Sequence, residues 1–395
     1  MYLSEKYSSI SPSPTLTIDA KYKEMKAAGM DVVGFGAGEP DFDTPAHIKD
    51  AAIRAINDGF TKYTPASGTP ELKKAICRKF ERENGLEYLP ENIVVSNGAK
   101  HSLVNVFGAI LNPGDEVIIP APCWVSYPEM VRLSDGVPVF VYASESERFT
   151  VSAQQIEAAV TPRTRAILIN SPSNPTGMCY PKEVLERIVE MCVKKNIYIV
   201  SDEIYEHLLY DGKKNTSVAS LGDEARFLTI VVNGVSKTYA MTGWRIGYTA
   251  SNAQIAKVMS NVQSHATSNP NSIAQKAAVA ALDGPMDTIY VMRDEFEKRR
   301  NYMVERINSI DGVSCIKPDG AFYAMMNISK LLGRTIDGME ITGSNSFAQA
   351  FLEKAMVAVV PGSGFGSDEH VRWSYATSME NIKSGLDRLE SFLKM

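Results

Sequence analysis

The chain has 395 residues, of which 44% are apolar and 22% charged, and it carries a formal net charge of −5. That length and composition describe a folded protein with room for more than one domain, and exclude a disordered or fibrous chain. The negative balance argues against a nucleic-acid surface, which needs a basic face, but allows a small anion wherever Arg and Lys cluster locally.

The first forty or so residues contain an SPSP run, a helical pattern over 17–28 and a Gly-rich stretch, Gly34–Gly38, and could pack against either part of the fold. The opening MYLSEKYSSISPSP lacks the apolar core of a secretory signal, and no later run reaches the length of a membrane span. The five cysteines, Cys77, Cys123, Cys179, Cys192 and Cys315, form no CxxC pair or metal-like spacing, and their odd number suits small buried thiols in a reducing compartment. A cytoplasmic location is therefore expected.

Short apolar runs follow: 92–96, 116–120, 137–142, 166–170, 197–201 and 228–232. Between them lie amphipathic segments near 99–111, 124–134 and 182–195. Val- and Ile-rich runs that are apolar on both faces predict strands buried between helix layers, and the alternation predicts an α/β fold with a largely parallel sheet wound by helices on both sides. From about 286 the pattern changes. A long charged helix precedes short strands at AFYAMMNI and VAVVPG and a carboxyl-terminal helix, which predicts a smaller α+β domain.

In an open α/β sheet, ligands bind beyond the carboxyl ends of the strands, and five such places carry polar residues. Ser96-Asn97-Gly98-Ala99-Lys100 is a small turn opening a helix, whose free N–H groups suit an anion, although many such turns bind nothing. Asn170 to Gly177 is a stiff loop that can fix Asn174 in the crevice or serve as an ordinary turn. Asp202 and Glu203 follow a buried strand. Asp202 is the one expected to face inward, since side chains alternate along a strand, with a helix N-cap as its other reading. Ser236-Lys237-Thr238 places a lysine at a strand mouth, where partial burial would make it a nucleophile toward carbonyls, or where it would be a solvated loop residue. Arg372 lies in a strand-like stretch and, if buried, needs a carboxylate from the protein or from a substrate. Together these groups suit a phosphorylated aldehyde cofactor with a pyridine nitrogen.

The residues also carry a family likeness. AGEPDFDTP (37–45), KYTPASGTPEL (62–72), PCWVSYPEM (122–130), SPSNPTG (171–177), SDEIYEHLLY (201–210), SKTYAMTGWRIGY (236–248) and RWSYATS (372–378) occur in an order that resembles class I aminotransferases, most closely the bacterial aspartate aminotransferases. The resemblance implies the fold type I of pyridoxal-phosphate enzymes, with a large cofactor domain over 45–285 and a small domain from 1–44 and 286–395. It implies pyridoxal 5′-phosphate bound to Lys237 as a Schiff base, and Asp202 opposite the ring nitrogen. Tyr205 and Asn174 would bond the ring oxygen, and Trp124 would stack on the ring. Ser236, Arg245 and the backbone of Gly98, Ala99 and Lys100 would hold the phosphate. Arg372, with Gly38 and Asn174, would clamp the substrate α-carboxylate. Tyr63 would reach the phosphate of a neighbouring subunit, which makes a homodimer. The implied reaction is ping-pong transfer of an amino group to a 2-oxo acid, expected to be 2-oxoglutarate.

Substrate choice turns on the distal carboxylate of aspartate. No Arg occurs in SHATSNPNS (264–272), where one branch of the family has it, whereas Lys100 matches the lysine thought to serve in the other branch. Its alternative is a solvated lysine, and prephenate or aromatic amino acids stay open as substrates. Gly34–Gly38 is not a dinucleotide motif, because Pro40 follows and no helix opens, and Pro361–Gly366 reads as a loop. The scattered histidines (His47, His101, His207, His265, His370) predict no metal site. A β-lyase on the same fold, and less readily a ligand-sensing regulator, are the rival functions.

Overall fold

The computed structural model describes residues 2–8, 10 and 14–395. Ser11, Pro12 and Ser13 of the SPSP run lie outside the described residues; Pro14 begins a helix, Pro14–Ala27, that replaces the expected 17–28. It packs beside Val357–Ala358 and Val360–Pro361, and so joins the carboxyl-terminal half of the fold.

Seven strands form the main sheet: β1 Ile93–Ser96, β2 Glu116–Ala121, β3 Val137–Tyr142, β4 Thr164–Asn170, β5 Tyr198–Asp202, β6 Thr229–Gly234 and β7 Gly247–Ala250. Their order is β1-β7-β6-β5-β4-β2-β3. β7 runs antiparallel to both its neighbours, while the other pairings are parallel. Six of the seven were expected within two residues at each end; β7 was not. Residues of the central strands are nearly all buried, because helices such as Ala99–Ile110 and Lys182–Lys195 cover the sheet. β3 is the exception. It is an edge strand with Val137 and Tyr142 exposed, where Pro138 is tolerated because one side of the ladder ends there.

A smaller antiparallel sheet holds β8 Ser314–Cys315, β9 Tyr323–Asn327, β10 Val360–Pro361 and β11 His370–Ser374, in the order β10-β11-β9-β8. Its core gathers Phe35, Phe296, Phe351, Trp373 and Phe392, with Phe35 and Trp373 ring centroids 4.5 Å apart. The long helix Asp287–Asn308 and the last helix Met379–Leu393 cover it. Tyr205, Leu208 and Tyr210, from the loop after β5, belong to the same core. No helix among the described residues is long and apolar enough to cross a membrane.

Candidate active site

Parallel pairing brings the carboxyl ends of β4, β5 and β6 to one edge of the sheet, and β1 ends there too because β7 runs antiparallel to both β1 and β6. The register sets Asn170 beside Asp202 and Asp202 beside Val232. A cavity of about 580 Å³ opens there. Gly38, Ala99, Lys100, Trp124, Asn174, Asp202, Tyr205, Ser236, Lys237, Arg245 and Arg372 all line it. Of the residues expected at the site, Gly98 lies just behind the lining, and Tyr63 stands apart with 91% of its surface exposed.

Lys237 follows β6 and donates to the Gly38 carbonyl. Burial drives its ammonium down to about 8, against the opposing pull of Glu39. Half of these side chains are therefore neutral amines near pH 8, a state that attacks an aldehyde and that a solvated lysine does not reach there.

Asp202 is fully enclosed. Burial raises its carboxyl to about 6, although the Tyr127 hydroxyl donates to it at 2.7 Å, the Ile204 N–H donates at 3.2 Å and Lys237 lies near. Above that pH it is a carboxylate with room for one more donor. It caps no helix, because the residues after it form turns. Glu203 points elsewhere, as alternation expects, and is buried away from the cavity, accepting from the Ser201 and Ser217 hydroxyls at 2.9 Å. Strand geometry ends at Asp202, so the chain is free to bury both carboxyls in separate polar nests.

The anion turn is built by close packing. Gly98 takes φ +90°, and a Cβ there would lie 2.3 Å from the Arg245 guanidinium; a Cβ at Gly247 would lie 2.2 Å from the Ala99 nitrogen. Glycine at both positions lets Arg245 and the start of helix Ala99–Ile110 meet around one small space. Arg245 is fixed by the carbonyls of Thr242 at 2.8 Å and Asn97 at 3.3 Å. The Lys100 ammonium sits 4.7 Å from the Trp124 ring centroid, its basicity lowered by burial and by Arg245.

Arg372 of β11 is 3% exposed. It donates to Asn174 Oδ1 at 2.9 Å and to the Gly36 carbonyl at 3.1 Å, and it stacks 4.4 Å from the Tyr323 ring centroid. Among the described residues it meets no carboxylate, and its Nε has no partner. A buried guanidinium without an anion costs several kcal/mol, so the place beside Arg372 suits an anionic ligand.

Lys23, Lys100, Lys237, Arg245 and Arg372 line the cavity against Glu39 and Asp202, so the site is cationic within an acidic chain. Two contributors were missed. Tyr127 follows Trp124 by three residues, about one helical turn, which is a readable signal. Tyr323, whose hydroxyl lies 3.1 Å from that of Tyr205, comes from β9, and nothing local marks it.

The fold and this cationic pocket define an aminotransferase. The family model for aminotransferase class I and II matches residues 30–389, and the chain belongs to that family. It is 50% identical to an aspartate aminotransferase of Geobacillus stearothermophilus, over 100% of this chain and 99% of the relative. It is 48% identical to an aspartate/prephenate aminotransferase of Nitrosomonas europaea, over 100% of each. Among solved structures, the aspartate aminotransferase of Rhizobium meliloti superimposes with a TM-score of 0.97 at 45% identity, covering 100% of this chain and 99% of that one. The Thermus thermophilus aspartate aminotransferase with maleate gives 0.94 at 44% identity, covering 99% and 100%.

Proposed function

We propose that this aminotransferase moves the amino group of L-aspartate to 2-oxoglutarate by a ping-pong route, with pyridoxal 5′-phosphate bound to Lys237. The observation that carries the reading is the pair of cations, Arg372 and Lys100, that no carboxylate among the described residues pairs with in the cavity that also holds Lys237. A dicarboxylate substrate supplies both missing anions. The relatives named as aspartate aminotransferases, one of them solved with maleate, support the same choice.

The residues present fit the cofactor: a weakly basic lysine, an enclosed carboxylate, and a glycine-lined turn closed by Arg245 that a Cβ would fill. Bound there, pyridoxal phosphate supplies the aldehyde that takes up the amino group and a ring that accepts electrons from Cα. Asp202 holds the proton of the ring nitrogen. Tyr205 and Asn174 donate to the ring oxygen, and Trp124 covers the ring face. Ser236, Arg245 and the backbone of Gly98, Ala99 and Lys100 hold the phosphate. Arg372 orients the α-carboxylate with the help of Asn174 and Gly38, and Lys237 Nζ takes the proton from Cα and returns it.

The same reading takes 45–285 as a large domain and 1–44 with 286–395 as a small one. It makes the protein a homodimer in which exposed Tyr63 completes the partner's phosphate site, and it places the protein in the cytoplasm, where its five free cysteines stay reduced. Prephenate also carries two carboxylates, so the relatives named for it mark a second substrate for the same two cations.

Lys100→Gln tests the substrate assignment. The KM for aspartate is expected to rise about tenfold or more while the kinetics with a neutral amino acid change little. Equal losses with both substrates would show that Lys100 serves the cofactor alone.

A further inference from the structure

Behind the cavity lies a buried charged cluster that the reaction above does not use. Lys79 is 1% exposed and pairs with Glu206, itself 7% exposed, and with Glu83 at 3.7 Å. Lys79 also donates to Asn84 Oδ1 at 2.9 Å, and Asn84 donates to the second Glu206 oxygen at 3.1 Å. The helix Pro70–Lys79 widens into a π-turn over Phe80–Asn84, and this spacing lets Lys79, Glu83 and Asn84 converge. Glu83, Glu206 and His207 have ligand atoms within 4.8 Å of one another. The Lys79 ammonium already stands among them and supplies the positive charge, so the group is an ion cluster rather than a metal site.

Such a cluster is a poor source of stability, because desolvating its charges cancels most of their attraction. What it touches is more telling. Glu206 Oε1 accepts from Asn233 at 2.6 Å, and Asn233 lies at the end of β6, four residues before Lys237. His207 Nδ1 lies 3.2 Å from the hydroxyl of Thr238, the residue after Lys237, and its Nε2 lies 3.0 Å from Glu83. Glu206 and His207 themselves follow Tyr205 directly. The cluster thus grips the lysine loop on both sides and ties it to the loop that presents Tyr205.

We propose that Glu206 and His207 are positioning residues, a clamp anchored on Lys79 and Glu83 that fixes Lys237 relative to Tyr205 through Asn233 and Thr238. The clamp rests on the reading of Lys237 as the cofactor-bearing residue. Burial pushes the Glu83 carboxyl up, but the His207 hydrogen bond and Lys79 outweigh it and hold it at about 2. The charged and titratable groups facing His207 are Glu83, Glu206 and Lys79, with Tyr239 nearby through its coupling to the two glutamates.

The test is a spectrophotometric pH titration of the lysine-bound cofactor band in the holoenzyme, beside kcat, KM and Tm. His207→Phe removes both hydrogen bonds, and Thr238→Val removes one hydroxyl if the first variant fails to fold. A lost clamp moves the titration midpoint by about half a pH unit or more and lowers kcat about tenfold with little change in the KM for aspartate. His207→Gln, whose amide both donates and accepts, restores most of each. A midpoint and kcat unchanged in a folded variant, whatever its Tm, would overturn the clamp alone. Absence of any titrating band in the unaltered protein would instead overturn the reading of Lys237 on which the clamp stands.

Discussion

Lys237→Ala is expected to lower aspartate turnover by at least about ten-thousandfold, because in the proposed reaction one side chain is both the carbonyl nucleophile and the group that moves the Cα proton. The cations whose charge bears on Lys237, Arg245 and Arg372, are guanidinium groups, and Lys100 is held at Trp124. The variant should fold, since the hydrogen bond Lys237 gives up is a single one, to the Gly38 carbonyl, and removing a buried ammonium lifts a desolvation cost. The sign is fixed by the lowered value of about 8. Burial disfavours the charged form in the folded protein, so the penalty operates below that pH and fades as pH rises toward the ordinary lysine value. Lys237→Ala should therefore gain stability relative to the unaltered chain, both without cofactor, most clearly below pH 8. Steady-state kinetics and thermal melts across pH check the two parts separately.

Arg372→Leu is expected to lower kcat/KM for aspartate roughly a thousandfold, the kinetic equivalent of about 4 kcal/mol. The guanidinium is enclosed by Asn174, Gly36, Tyr323 and Phe365, and in the proposed reaction the α-carboxylate supplies its missing anion. Arg372→Lys keeps a charge but not the planar fork, and should recover only a minor part of the loss. Cofactor binding, read from the visible band, should fall far less than kcat/KM in either variant, because the hydrogen bonds of Arg372 go to Asn174 and the Gly36 carbonyl rather than to the anion turn. A parallel loss of cofactor affinity would show that Arg372 holds the cofactor rather than the substrate.

Most of the main sheet was legible because its strands are Val- and Ile-rich runs buried on both faces, a pattern that survives without tertiary knowledge. β7, Gly247–Ala250, carries no such signal: its four residues, GYTA, include a glycine kept small by the Ala99 backbone, a constraint that exists only in the assembled fold. The helix Ser272–Asp283 escaped notice for a related reason, since alanines buried on several sides blur the helical period. At the site, strand-end logic singled out Asp202, Lys237 and the anion turn, and the motif order supplied their roles. It stopped at groups that arrive from elsewhere. Tyr323 reaches Tyr205 and Arg372 only because β9 pairs with β11 in one register, Tyr323 with Ser374 and Met325 with Arg372. The Lys79 cluster joins residues more than a hundred positions apart, and Lys79 reads in sequence as one more helix-surface charge.

The central claim is that Lys237 carries pyridoxal phosphate and works on aspartate. Its most direct test is the visible spectrum of the purified holoenzyme during titration with L-aspartate, with no oxo acid present. The account predicts a band from the lysine-bound cofactor that falls as aspartate is added, gives way to the shorter-wavelength absorbance of the aminated cofactor, and returns with 2-oxoglutarate. A band that persists with aspartate but falls with a neutral or aromatic amino acid would contradict the substrate assignment, and the absence of any band after incubation with pyridoxal phosphate would contradict the role of Lys237 itself.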